Sequence, residues 1–214
     1  MIKAVVFDLD NTLYDETLYF VKVFEAFCRE TDLKFSIVSS FINDDLRAKS
    51  SDVFRYVLEC ADIFSYERHE KIFSIYKRIE CSIRLYDDAL DILDFLKKNN
   101  YKTGVLTNGV VEAQKNKIKC LDIGSDAFDV IFYARSQGKE NEKPSQDSFY
   151  KISELLKVEK KEILFVGDHP FTDIKGAIDS GMDALRLLRG YAKEIPFNYN
   201  KVIYDLNEVK DYLI

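Results

Sequence analysis

Residues 4–15 read AVVFDLDNTLYD, an apolar and β-branched run that stops abruptly at two aspartates one residue apart, Asp8 and Asp10. The stretch IKAVVF, residues 2–7, predicts a short buried strand, the kind found in parallel sheets covered on both faces. If both acids are to serve one ligand, the chain must abandon strand geometry after Phe7. Asn11 and Thr12 follow at once, and Thr12 is expected to hold the resulting turn and to position Asp10.

Beyond Asp15 the texture changes. Residues 16–83 contain neither Gly nor Pro and almost no strand signal. Phe20, Phe24 and Phe27 recur at helical spacing, as do Val53, Tyr56, Val57 and Cys60, then Ile72, Ile75, Tyr76 and Ile79. This block predicts several packed helices with aromatic side chains in their core. From Tyr86 onward strands and helices alternate. Residues 87–100 form a helix with acids at its start and lysines at its end, as the helix dipole favours. KTGVLT is a strand, residues 111–120 a helix, FDVIFY a strand, residues 145–156 a helix, and EILFVG a strand. A helix over residues 172–180 has Gly181 just past its end. DALRLL and KVIYD are further strands, and residues 206–213 a last helix. Such alternation predicts an α/β fold, a parallel sheet with helices on both faces, with the all-helical block inserted after the first strand.

In open parallel sheets ligands bind at the carboxyl ends of the strands. The first strand is followed there by Asp8 and Asp10, the second by Thr107, Asn108 and Gly109. Beyond the third come Lys143 and Pro144, and after the fourth Gly167 and Asp168, with Asp173 a little later. Together these offer carboxylates for a metal, a hydroxyl and backbone N–H groups for an anion, and one cation. That is the inventory of phosphoryl transfer. Taken singly each group also has a plain role: turn residues at Asp8, Asp10 and Thr107–Gly109, a solvated lysine at Lys143, helix-start acids at Asp168 and Asp173.

Four short motifs stand in order, each at the end of a predicted strand: DLDNT, the Thr of VLTNG, the Lys of EKPSQDSF and GDHPFTD. In this the chain resembles the haloacid dehalogenase (HAD) superfamily of hydrolases, in the subgroup with a helical cap inserted after the first motif. The resemblance implies a Rossmann-like catalytic core from residues 1–14 and 86–214, and an inserted all-helical cap domain from residues 15–85. It implies a Mg²⁺-dependent phosphatase acting through an aspartyl-phosphate on a small phosphomonoester, of sugar phosphate or nucleoside monophosphate type. Asp8 is then the nucleophile, and Asp10 the general acid for the leaving alcohol and later the base for water. Thr107, Asn108, Gly109 and Lys143 bind the phosphate with Asp8. Asp8, Asp168 and the backbone carbonyl of Asp10 hold Mg²⁺, and Thr12 and Asp173 support them. Lys139 lies beside Lys143, which the following Pro144 and helix start favour.

The same four motifs serve phosphosugar mutases, so that reading stays open. Dehalogenases lack the second acid of the first motif, and Asp10 argues against them. Phosphonatases need a cap lysine; Lys22, Lys49, Lys71 and Lys77 are available and none is marked by context. A signalling receiver module carries a similar inventory in another order, and a binding protein without turnover would not need the full set. His169 is assigned a structural or rim role and His69 a surface or packing one. Tyr14, Tyr19, Phe20, Phe54 and Arg47 are the residues that could face the site from the helical side.

The chain has 214 residues, 47% of them hydrophobic, enough for one large domain or one domain carrying an insertion. A formal net charge of -6 speaks against nucleic acid as a partner. No apolar run reaches the length of a membrane span and no signal peptide is indicated. Cys28, Cys60, Cys81 and Cys120 are widely spaced and read as reduced thiols. The expectation is a cytoplasmic enzyme of a small phosphorylated metabolite, with monomer or homodimer left open.

Overall fold

In the computed structural model, which describes residues 1–124 and 126–213, the first strand, β1 (Ala4–Phe7), lies inside a six-stranded sheet. Its neighbours are β2 (Lys102–Thr107) and β4 (Ile163–Gly167), and Phe7 stands in register with Val105 on one side and Val166 on the other. β3 (Val130–Tyr133) flanks β2, while β5 (Asp183–Leu187) and β6 (Val202–Ile203) extend the sheet beyond β4. The order is β3-β2-β1-β4-β5-β6 and every pairing is parallel. β1 has no exposed side because its residues alternate between two apolar cores. Val5 and Phe7 join one cluster, while Ala4 and Val6 join the other with Phe149, Ile152 and Phe165.

Between β1 and the return to the sheet the chain is all helical, with α1 (Glu16–Glu30), a four-residue α2 (Leu46–Lys49), α3 (Val53–Cys60) and α4 (Tyr66–Arg78). Side chains that accept from free N–H groups open three of these: Asp15 from Thr17, Asp52 from Arg55 and Ser65 from Arg68. The aromatics form the core of this block. Phe54 sits among the rings of Phe20, Phe24, Phe73 and Tyr76 at centroid distances of 5.0–6.4 Å. The outgoing and returning segments meet where Tyr86 N–H donates to Leu13 O at 2.9 Å.

Helices α5 (Asp87–Lys98), α6 (Val111–Cys120) and α7 (Gln146–Leu156) complete the crossovers. The helix expected over residues 172–180 begins earlier. It starts as a π-helical turn at Pro170–Lys175 and continues as α8 (Gly176–Asp179). Pro170 fits there because a first-turn N–H has no helical partner to lose. His169 Nδ1 accepts from Phe171 and Thr172 N–H. Two elements of the C-terminal part are slighter than expected. The strand over residues 201–205 is reduced to β6, and the last helix is a 3₁₀ turn, Leu206–Tyr212, capped by Asp205 and Glu208. Among the described residues no helix is long and apolar enough to cross a membrane.

Candidate active site

The loops leaving β1, β2 and β4, together with the one that enters α7, wall a cavity of about 410 Å³. After Phe7 the chain turns sharply. Asp8 N–H still donates to Val166 O at 2.9 Å, but Asn11 takes a φ of 61°, a left-handed conformation that Asn tolerates well. Asn11 N–H donates to Tyr14 O at 3.0 Å and Leu13 N–H to Leu9 O at 3.1 Å, which closes the turn. Gly190 is packed so close that a Cβ on it would lie 2.8 Å from Asn11 Cβ. The turn sends Asp8 and Asp10 into two different settings.

Asp8 joins Asp168 and Asp173, all buried, with carboxylate oxygens within 4.8 Å of one another. One ammonium faces the three: Lys143 Nζ is 2.5 Å from Asp8 Oδ1 and 2.7 Å from Asp173 Oδ1. Lys143 is in turn fixed to the end of β2, since Asn108 Nδ2 donates to its carbonyl at 2.9 Å and its N–H donates to Asn108 Oδ1 at 2.8 Å. Asp173 tucks under β4 where only glycine fits, for a Cβ on Gly167 would stand 2.6 Å from Asp173 Oδ2. Burial pushes the Asp8 carboxyl up to about 7, against the pull of Lys143 and with added repulsion from Asp173 and Asp10. Burial, with repulsion from Asp173 and Asp8, holds Asp168 well above the usual carboxylate range. Burial disfavours the Lys143 ammonium, yet Asp173 and Asp8 outweigh it and raise its pKa. Three buried carboxylates against one lysine are an oxygen-only donor set with excess negative charge, and that fits a hard divalent cation such as Mg²⁺.

Asp10 is held differently. Tyr14 OH donates to its Oδ1 at 2.5 Å, Lys117 Nζ to the same oxygen at 2.7 Å, and Gln114 Nε2 to Oδ2 at 2.9 Å. Gln114 Nε2 also donates to Thr107 Oγ1 at 2.6 Å, which joins the ends of β1 and β2. Lys117, fully buried, reaches Glu16 Oε1 at 2.8 Å as well. Arg47 then grips Glu16 with two bonds, Nε to Oε2 at 2.9 Å and Nη2 to Oε1 at 2.6 Å. A continuous chain of charges thus runs from Asp10 through the sheet-side helix α6 to the helical block. Burial opposes the Glu16 carboxylate, but Arg47 and Lys117 prevail and draw it down to about 2.

Asp8, Asp10, Thr107, Asn108, Gly109, Lys143, Asp168 and Asp173 all border the one cavity. Thr12 does not. It is buried with its hydroxyl unpartnered, so Asp10 is positioned by Tyr14, Gln114 and Lys117 instead. The Gly109 N–H is not free for an anion as expected, because it donates to Glu142 Oε1 at 2.5 Å. Glu142 is itself held by Arg135 through two bonds of 3.0 Å. Lys139 is exposed and away from the cavity, and none of Lys22, Lys49, Lys71 and Lys77 borders it. His169 lies on the rim, and burial lowers its pKa. Of the residues named on the helical side, Arg47 borders the cavity, and Tyr14 reaches it through Asp10. Tyr19 OH donates to Tyr76 O.

Glu16, Gln114, Lys117, Arg135 and Glu142 escaped the sequence reading. A signal for two of them exists in α6. Its buried face carries Ala113, Gln114, Lys117 and Cys120, so two polar residues occupy positions of a stripe that should be apolar.

The family profile described as haloacid dehalogenase-like hydrolase matches residues 5–187. A glyceraldehyde 3-phosphate phosphatase of Methanopyrus kandleri is 27% identical, over 89% of this chain and 85% of that protein. The N-acylneuraminate-9-phosphatase of Mus musculus is 29% identical, over 86% of this chain and 81% of its own length. The crystal structure of a Bacillus subtilis protein assigned as a HAD hydrolase, bound to magnesium, shares the fold with a TM-score of 0.68. It is 17% identical and the match covers 99% of this chain and 98% of that one.

Proposed function

The chain belongs to the haloacid dehalogenase-like hydrolases, and from that membership we propose that it is a Mg²⁺-dependent phosphatase of small phosphomonoesters, working through an aspartyl-phosphate on Asp8. The observation that carries this reading is the setting of Asp8, a buried carboxylate at a strand end with Lys143 at 2.5 Å and Asp168 beside it in an open cavity. Residues 1–14 and 86–214 form the catalytic core on this reading, and residues 15–85 the cap. The substrate is a phosphorylated metabolite of sugar phosphate or nucleoside monophosphate type; the names of the two relatives support a phosphatase of small phosphorylated metabolites.

Each residue then has a task. Asp8 attacks phosphorus through a carboxylate oxygen as the ester P–O bond breaks. Asp10 gives a proton to the departing alkoxide. In the second half Asp10 takes a proton from the water that attacks phospho-Asp8, which frees phosphate and restores the carboxylate. Lys143 and the Thr107 hydroxyl hold phosphate oxygens, and Asp173 keeps Lys143 in place from the far side. Asp8, Asp168 and the Asp10 carbonyl would hold Mg²⁺, which would supply further charge neutralisation.

The direct test is phosphate release from a panel of phosphomonoesters with Mg²⁺ and after chelation. Release with Mg²⁺ that stops on chelation is the expected result. A panel on which the Mg²⁺-loaded protein releases nothing overturns the reading.

A further inference from the structure

A second cavity, of about 260 Å³, opens off the first into the helical block. Arg47, Ser51, Gly109 and Arg135 border both spaces and form a neck between them. Beyond the neck the walls are aromatic: Phe20, Phe54, Phe73 and Tyr76. Phe73 and Tyr76 lie stacked at 6.2 Å and 27°, with Phe54 edge-on to Tyr76 at 5.0 Å. Polar groups gather at the neck and along one wall. Both neck arginines are already held by carboxylates, Arg47 by Glu16 and Arg135 by Glu142. The remaining polar side chains are Ser51 at the neck and, beyond it, the Tyr76 hydroxyl and the pair His69–Asp52, with Nε2 and Oδ2 3.0 Å apart.

We propose that this second cavity receives the leaving group and takes a planar aromatic or heteroaromatic ring, so that the preferred substrate is the phosphomonoester of a ring-bearing alcohol such as a nucleoside. The inference rests on the phosphatase reading and selects among its substrates. A polyol that reaches the aromatic end would bury hydroxyls against Phe20, Phe54 and Phe73, which cannot bond them, and each unmet hydroxyl costs binding. A flat ring loses nothing there. It stacks on the aromatic walls, and its polar edge meets the His69–Asp52 pair. The phosphate stays at Asp8, and the linking sugar or short chain spans the neck between the two arginines.

The test compares kcat/KM with Mg²⁺ for purine and pyrimidine nucleoside 5′-monophosphates, glucose 6-phosphate and glyceraldehyde 3-phosphate, with acetyl phosphate as a small reference. Ring-bearing esters should exceed the polyol esters by about tenfold or more, the scale of one good stacking contact. Two variants probe the walls: Phe73→Ala, at a half-buried ring, and Ser51→Trp, at an exposed residue of the neck. Each should lower kcat/KM for the ring-bearing ester about tenfold more than for acetyl phosphate, chiefly through KM. Should Phe73→Ala fail to fold, Ser51→Trp decides alone. A preference for polyol esters, or an equal loss on all substrates, overturns the ring subsite and leaves the phosphatase standing. If not even acetyl phosphate is hydrolysed, the phosphatase reading falls, and the leaving-group subsite with it.

Discussion

Asp8 and Asp10 are one residue apart and live in opposite electrostatic settings. Around Asp8, three buried acids share one lysine. Around Asp10, two acids, Asp10 and Glu16, are matched by two cations, Lys117 and Arg47. The first group is incomplete in charge, and the second closes on itself. An unbalanced buried cluster is costly unless something else joins it, and on the proposed function a cation and a phosphate do so. The balanced cluster needs no ligand, and it ties Asp10 to the helical block through Arg47. On the proposed function, the same difference lets Asp8 change partners during turnover while Asp10 stays where its donors hold it.

The comparison can be broken most forcefully at the acids themselves. Asp8→Asn should lower phosphate release by ~10³-fold or more and abolish trapping of a labelled phosphoenzyme. Asp10→Asn should spare substrates with a good leaving group, so the loss on p-nitrophenyl phosphate should be smaller than on an alkyl phosphate by ~10²-fold. A common loss on both substrates would show that the two acids are not divided in labour.

The cations come next. Lys117→Met should destabilise the fold by about 3–5 kcal/mol, because it removes the fully buried cation that joins Asp10 to Glu16. Melting curves should show that Mg²⁺ does not restore it, whereas adding Glu16→Gln recovers part of the loss. Lys143→Met should instead be compensated by Mg²⁺, since that cluster accepts a cation in place of the lysine.

The pH response should then differ in sign. Asp8, raised from 3.8 to about 7, contributes stability that is complete below pH 3.8 and lost as pH climbs toward 7. Glu16, lowered from 4.5 to about 2, contributes stability that is complete above pH 4.5 and lost as pH falls toward 2. In chelator, Asp8→Asn should therefore flatten the decline toward neutral pH and Glu16→Gln the decline toward acid, as read by melting temperature. The smallest effect belongs to Thr12→Val. It removes a buried hydroxyl that bonds nothing, so stability should shift by less than about 1 kcal/mol and kcat by less than about twofold.

The sheet and the motif positions are legible in one dimension because the signals are local. An apolar run such as AVVF, a helix with acids first and lysines last, and a Gly after a helix each declare themselves within a few residues. The aspartates at strand ends follow, since parallel topology sends every such end to the same edge. Other features are not local. Asp10 and Lys117 are 107 positions apart, and Glu16 and Arg47 are 31 apart. In the sequence Lys117 is one more lysine in KNKIK, indistinguishable from a solvated one. Gly109 looked free to bind an anion because nothing nearby in sequence announces that Glu142 takes its N–H. Thr12 looked like a support because it follows Asp10, yet the support arrives from α6 and Tyr14.

The chain alone thus specifies an α/β sheet, an inserted helical block and the strand-end chemistry of Asp8, Asp10, Thr107, Lys143 and Asp168. These depend on backbone preference and hydrophobic periodicity, which act between near neighbours. Folding in space decided which acids find a counter-ion, which N–H stays open and which aromatic rings face a cavity. Those outcomes rest on Coulomb and packing contacts between distant residues, and such contacts exist only once the sheet has brought its strand ends together.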